Sequence, residues 1–293
     1  MLQVLFGGLI DGCVYALVAV GMSLVYSITR VINLAQGGFV VLAALVTVSL
    51  QAAGVPPPVA LVVVLVGFAA LLAGVDRAVL RPAARRIGNQ RMLLVTVGLL
   101  QAISGLLLVV WGNLPYTGRP FTAGRPWTVT AGALGGITVQ PQQVWIVALL
   151  LVAVLALVGL LRHTDLGLTM RATASRPEAA QLVGVDTDRI RLIAFGLSGA
   201  MAALAGAAVV PITFLQFDTT TSYAVSGFVA AVLGGLGSIG GAVLGGLLLG
   251  IVEGVFSRYT GSSLAQVAAI VLLIGLLLVR PAGLLGRTEE VRR

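Results

Sequence analysis

Uncharged apolar stretches, each long enough to cross a lipid bilayer, run through most of this chain and leave it few ways to fold. No charged residue interrupts 31–75, 92–118, 126–161, 192–217 or 259–279. A helix that crosses hydrocarbon takes roughly 20 predominantly apolar residues. With 58% hydrophobic and 10% charged residues, the chain needs lipid as its solvent. The pattern predicts an all-α, polytopic membrane protein with about eight transmembrane helices in a single domain over 1–293. Spans are expected over 4–27, 34–52, 59–75, 92–111, 143–161, 192–211 and 264–279.

The net charge of +8 would suit nucleic acid if the charges formed one surface. They fall instead in three polar segments between apolar stretches. Arg77, Arg81, Arg85, Arg86 and Arg91 form one, and Arg162, Arg171, Arg176, Arg189 and Arg191 a second. Arg280, Arg287, Arg292 and Arg293 form the last. That is the positive-inside pattern of a membrane protein, and nucleic acid is not expected as a partner. With these segments in the cytoplasm, the amino end starts outside and the carboxyl end lies inside. Segment 222–253 is too long for one crossing at about 1.5 Å per residue, yet charge placement requires both of its ends outside. A pair of short or broken helices, or a re-entrant loop, meets that parity.

An enzyme is not expected. The chain has one histidine, His163, beside Arg162 and Asp165, and one cysteine, Cys13. No catalytic constellation, metal site or cofactor site can be assembled from the pattern. Lysine is absent, which excludes the phosphate-binding loop G-x-x-x-x-G-K-[ST]. If ATP drives this protein, another subunit hydrolyses it. The start of the chain does not read as a secretory or lipoprotein signal, because no basic region precedes the apolar stretch and Asp11 interrupts it.

The polar segment 167–191 reads GLTMRATASRPEAAQLVGVDTDRIR. Ser175 with Glu178 three residues on makes a capping box, Pro177 suits a first helical turn, and Gly184 is a natural stop. Ala179, Ala180, Leu182 and Val183 give the predicted short helix an apolar surface between arginine-rich flanks. So short a helix is marginal alone. Two readings stay open: it docks on a partner protein, or it lies on the headgroups as an amphipathic helix.

Glu178-Ala179-Ala180, followed after three residues by Gly184, resembles the EAA---G loop of ATP-binding-cassette (ABC) importer permeases. Four further stretches are similar to the H-type permeases of branched-chain amino-acid importers: 15–38 (YALVAVGMSLVYSITRVINLAQGG), 167–206, 228–250 (FVAAVLGGLGSIGGAVLGGLLLG) and 280–287 (RPAGLLGR). The resemblance implies that Arg171, Ser175, Pro177, Glu178, Ala179, Ala180 and Gly184 belong to a coupling helix that docks on an ATPase. It also implies the partners: two cytoplasmic ABC ATPases, a second permease of the M type and an extracytoplasmic solute-binding protein. The implied setting is a bacterial or archaeal inner membrane, and the implied mechanism is alternating access. The family extends to permeases for urea, short amides and other small acids. Many members carry a histidine where Gln36 stands, so a titrating role is absent there.

Polar groups inside spans are costly and face protein or a cavity. Asn33, Gln36 and Gly37, beside Arg30, are expected either on the translocation path or as cap and interface residues. Gly237, Gly241 and Gly245, and again Gly246, Gly250 and Gly254, repeat at the spacing that lets helix backbones approach closely in lipid. Gly234, Gly235, Gly237, Ser238 and Gly241 would turn or break a helix, which places them on the path or its gate; tight packing is the other reading. Glu253 is expected to pair with Arg258, and Asp11 to sit near the outer surface. The loop 112–142 has an alternating Thr128-Val129-Thr130 run before Gly135-Gly136 that predicts a hairpin, and it is expected outside. An ATPase-independent channel or ion-coupled carrier is the competing function, but it leaves the 175–184 helix unexplained.

Overall fold

Helix α1 (Leu2–Thr29) is about 42 Å long at 1.5 Å per residue and runs through the centre of the molecule, with most of its residues from Gly12 onward buried. The computed structural model describes residues 1–88, 91–130, 136–280 and 283–286. The end of α1 is abrupt. Arg30 takes a left-handed conformation (φ 56°), alone among the described non-glycine residues, and the chain stays unwound until α2 (Ala35–Ala52). Helix α3 (Pro57–Val75) starts with proline in its first turn, where the missing N–H costs nothing. It continues through a π-helical turn, Asp76–Leu80, into α4 (Arg81–Ile87) and ends at Gly88 (φ 75°). The first arginine-rich segment thus lies largely on a helical extension of a span, because arginine is a good helix former.

Helix α5 (Met92–Trp111) leads into the 112–140 loop, where strands β1 (Trp127–Thr130) and β2 (Gly136–Val139) pair antiparallel with Trp127 opposite Val139. The expected hairpin is therefore present. Helix α6 (Pro141–His163) is followed by two short helices, α7 (Asp165–Ser175) and α8 (Pro177–Leu182), and then by α9 (Thr187–Val209). Helix α9 begins five residues before its expected position, since the Asp186 carboxylate accepts from the Arg189 N–H (3.0 Å) and caps it. The 222–253 question resolves into two helices, α10 (Thr219–Gly234) and α11 (Ile239–Thr260), joined by a tight turn at Gly235 (φ 101°) and Gly237 (φ 86°). Helix α12 (Ser262–Val279) follows. Among the described residues seven helices are long and apolar enough to cross a membrane, α3 to α4 counting as one.

Contacts sort the loops into two ends. At one end the Arg30 guanidinium donates to the Ala174 carbonyl (3.3 Å), and Gly237 lies beside Tyr26 and Ser27. There, too, the Leu284 and Leu285 N–H groups donate to the Leu233 and Gly234 carbonyls (2.9 and 3.0 Å). The arginines of the first two segments share this end; Arg287, Arg292 and Arg293 of the last lie outside the described residues. At the other, Tyr116 and Leu215 exchange backbone hydrogen bonds (2.8 and 2.9 Å), Gln51 accepts from the Arg119 N–H (2.7 Å), and Gln3 accepts from the Thr138 N–H (2.8 Å).

The centre is set by α1 against α11. A Cβ at Gly12 would lie 2.9 Å from both the Gly246 carbonyl oxygen and Leu247 Cα, so the two backbones touch with no side chain between them. Around this centre, α3, α5 and α6 turn exposed valine and leucine outward, among them Val62, Val66, Leu94, Val109, Val152 and Leu155. An apolar belt of that extent is a lipid-facing surface.

Replacing Gly246 by leucine forces α1 and α11 apart, and overpacking against backbone is expected to cost about 3 kcal/mol or more. The expected result is a large fall in thermal stability of the purified protein in detergent. Gly105→Leu on the outward face of α5, where a Cβ meets nothing within 4 Å, leaves stability nearly unchanged.

Candidate functional site: the α7–α8 segment and the buried ion pair behind it

The α7–α8 segment is built by local chemistry. The Thr164 hydroxyl accepts from the Gly167 N–H (3.1 Å) and starts α7, which runs through Ser175. The expected capping box at Ser175 is not formed. The N-cap of α8 is Arg176, and no side chain caps it. The reason is Pro177: the residue before a proline is pushed out of the helical region, and Arg176 is accordingly extended (φ −146°), so the break falls one residue later. Pro177 occupies the first turn as expected. Gly184 (φ 85°) closes the helix, its N–H donating to the Gln181 carbonyl and that of Val185 to the Ala180 carbonyl (both 3.0 Å).

The apolar surface of α8 divides in two. Ala180 is 4% exposed and packs inward, whereas Leu182 and Val183 are 89% and 79% exposed, and Glu178 and Ala179 are exposed beside them. Two large apolar side chains are thus fully bared at the arginine-bearing end. Arg171 is exposed on α7, its Nε donating to the Gly167 carbonyl (3.3 Å).

Behind α8 the segment is tied to the long helix Pro57–Ile87 by charge. Arg191, in the second turn of α9, places both Nε and Nη2 at 2.8 Å from Asp76 Oδ1, and its guanidinium lies 5.6 Å from the centre of the Phe195 ring. The Asp76 side chain is 2% exposed. Asp188 forms an ion pair with Arg81, and Arg85 approaches it at 3.4 Å. Asp76 opens the π-helical turn, a local widening often found where helices carry function.

The residues expected on the translocation path fall into separate places. Asn33 is 1% exposed in the unwound stretch between α1 and α2, and neither atom of its amide has a hydrogen-bond partner. Gln36 is closed off. Its Nε2 donates to the Ser198 carbonyl and its Oε1 accepts from Ser198 Oγ (both 2.9 Å), fastening α2 to α9. Gly37 presses on the backbone of Ala224 in α10. Gly234, Gly235 and Gly241 are buried in the α10–α11 turn, Gly237 is half-buried, and Ser238 caps α11 by accepting from the Gly241 N–H (3.1 Å).

Glu253 does not pair with Arg258. Five residues along a helix is about 140° around it, and the carboxylate instead accepts from Ser226 Oγ (3.3 Å) on α10 and hydrogen-bonds the Tyr15 hydroxyl on α1. Three different helices make this group, and no local signal announces it. Among the described residues no three His, Cys, Asp or Glu side chains converge where a metal could sit.

A family model described as "Branched-chain amino acid transport system / permease component" matches residues 4–279. The chain is 33% identical over 310 residues to the high-affinity branched-chain amino acid transport system permease protein LivH of Escherichia coli K12, covering 98% of this chain and 96% of that one. It is 28% identical to the high-affinity branched-chain amino acid transport system permease protein BraD of Pseudomonas aeruginosa, with the same coverage of both chains. The autoinducer 2 import system permease protein LsrC of Escherichia coli is 32% identical over 244 residues, which cover 82% of this chain and 65% of that one. No solved structure matches.

Removing one partner of a buried ion pair leaves an uncompensated charge and costs about 3–5 kcal/mol. Asp76→Ala is therefore expected to lower the thermal stability of the purified protein sharply. The double variant Asp76→Leu/Arg191→Met removes both charges and recovers most of it.

Proposed function

The chain belongs to the permease components of branched-chain amino acid transport systems, and from that premise we propose that it is the membrane-spanning subunit of an ATP-driven importer. Its substrates are branched-chain amino acids or chemically related small solutes. Two ABC ATPases supply the hydrolysis this chain has no loop for, and an M-type permease completes the membrane part. A solute-binding protein delivers substrate. The protein sits in the inner membrane as a single multi-pass domain, with its arginine-rich end in the cytoplasm and its amino end outside. The 112–142 loop and its hairpin then face the binding protein.

The observation that carries this reading is the pair Leu182 and Val183, bared on a two-turn helix at the arginine-bearing end. A helix that short gains stability from what covers it. Seated in a cleft of the ATPase, Glu178, Ala179, Leu182 and Val183 make the contact. Pro177 and Gly184 fix the helix ends, Ala180 anchors its inner side, and Arg171 and Ser175 shape the approach from α7. Movement of α8 passes through the capped start of α9 and the Arg191–Asp76 pair to the long helix Pro57–Ile87.

For the path, we assign the α10–α11 turn, with Gly234, Gly235, Gly237, Ser238 and Gly241, to a gate at the cytoplasmic end. Asn33, Gln36 and Gly37 form the packed joint behind it. The unpartnered amide of Asn33 supports this role, since a buried polar group left unpaired costs about 1–3 kcal/mol and a change of state that gives it partners recovers that cost.

The test is co-purification from gently solubilised membranes. Leu182→Ser/Val183→Ser is expected to fold and insert normally but to lose at least tenfold of the co-purifying ATPase, in proportion to two lost apolar contacts. Ala180→Asp instead perturbs the helix itself. ATPase retained at the parent level in the double serine variant contradicts the assignment.

A further inference from the structure

In the half of the molecule away from the arginine-rich segments, where Arg258 stands in the last turn of α11 without an ion pair to Glu253, α1, α10 and α11 bring together polar side chains that neither packing nor the coupling segment uses. Asp11 is exposed on α1, about 13 Å along the helix from its start, and Glu253 on α11 lies roughly 10 Å before that helix's end. The Tyr15 and Tyr223 rings meet edge-on at 6.4 Å, and the Tyr223 hydroxyl hydrogen-bonds Thr213. Ser226 and Tyr15 serve Glu253 as described. Both are neutral donors, and no ion pair among the described residues includes Asp11 or Glu253.

Two carboxylates at this depth without a cation are costly, since a charge at a helix centre in lipid costs about 2.5–3.5 kcal/mol by insertion scales. A carboxylate exposed there faces water, not hydrocarbon. The backbone beside it says the same independently. The chain from α9 to α10 is not helical, and it descends into the membrane: the Phe217 carbonyl accepts from Ser104 Oγ (2.9 Å), seven residues before α5 ends. Irregular backbone at that depth occurs only where it is enclosed by protein or borders an aqueous cavity. Thr221 and Ser222, in the next turn, are exposed.

We propose that this junction is a water-filled outer vestibule in which Asp11 and Glu253 receive the ammonium group of the solute. A primary ammonium has three N–H donors and no acceptor. Those donors meet the two carboxylates and their hydroxyl neighbours, while the Tyr15 and Tyr223 rings offer the faces that attract a cation. The inference rests on the permease reading and adds the part of the solute that this subunit recognises.

The experiment uses the whole complex in proteoliposomes, with Cys13→Ala and a single reporter, Ser222→Cys. Cationic and anionic methanethiosulfonates of similar size are compared, each corrected for its rate with a free thiol. The cationic reagent is expected to react about tenfold faster, as in a cleft focusing negative potential, and the preference collapses in Asp11→Asn/Glu253→Gln. Leucine slows the labelling, and 4-methylpentanoate, the same skeleton without the amine, does not. A thiol that neither reagent reaches overturns the proposal, for the face then lies against lipid or protein. So does a ratio near one in the parent, as it would be if a neighbouring subunit supplied the cation. Equal protection by both solutes overturns it as well. Failure of the importer reading shows elsewhere, in the ATPase co-purification.

Discussion

Gly12 and Gly246 let α1 and α11 meet backbone to backbone, and the remainder of the bundle is arranged around that contact. In lipid, apolar surface gains nothing by being buried against other apolar surface. Helices therefore associate by close packing and by hydrogen bonds across the interface. A seam without side chains maximises the first. It also explains why α1 is so thoroughly buried from Gly12 onward. The same geometry brings Tyr15 of α1 and Ser226 of α10 to Glu253 of α11.

The arginine-bearing end is organised by a different force. A six-residue helix has little stability of its own, and here its position is held by the Arg30–Ala174 contact, the Asp186 cap and the two ion pairs that lock α9 to the long helix. Buried ion pairs contribute little net stability compared with apolar packing, but breaking one is costly. Such a joint tolerates movement of the two helices together and resists their separation. That is the property the proposed coupling to an ATPase requires.

Spans, loop chemistry and the β1–β2 hairpin were legible because each is written in consecutive residues: apolar run length, alternation before a turn, and proline and glycine at helix ends. The α8 helix was legible for the same reason, except at its start, where the constraint Pro177 places on Arg176 outweighs the capping side chain of Ser175. Which face of α8 points outward was not legible. Ala180 and Leu182 are two residues apart and equally apolar in pattern, and only the packing of α8 on its neighbours buries the first and bares the second. The partners of Glu253 and of Gln36 lay beyond reach for a similar reason, since Ser226, Tyr15 and Ser198 sit on other helices and sequence spacing carries no information about them. Arg191 and Asp76, 115 positions apart, belong to the same class.

The central claim is that this chain moves solute only when a separate ATPase drives it. Reconstitution into liposomes tests that directly: the chain with its permease partner, with and without the ATPase subunits, with ATP on the cytoplasmic side and leucine-loaded binding protein on the other. The account predicts leucine accumulation only in the complete, ATP-supplied assembly, and none when ATP is replaced by a non-hydrolysable analogue. Uptake of equal rate by the permeases alone, or accumulation driven by an ion gradient without ATP, would contradict it and make the protein a carrier in its own right.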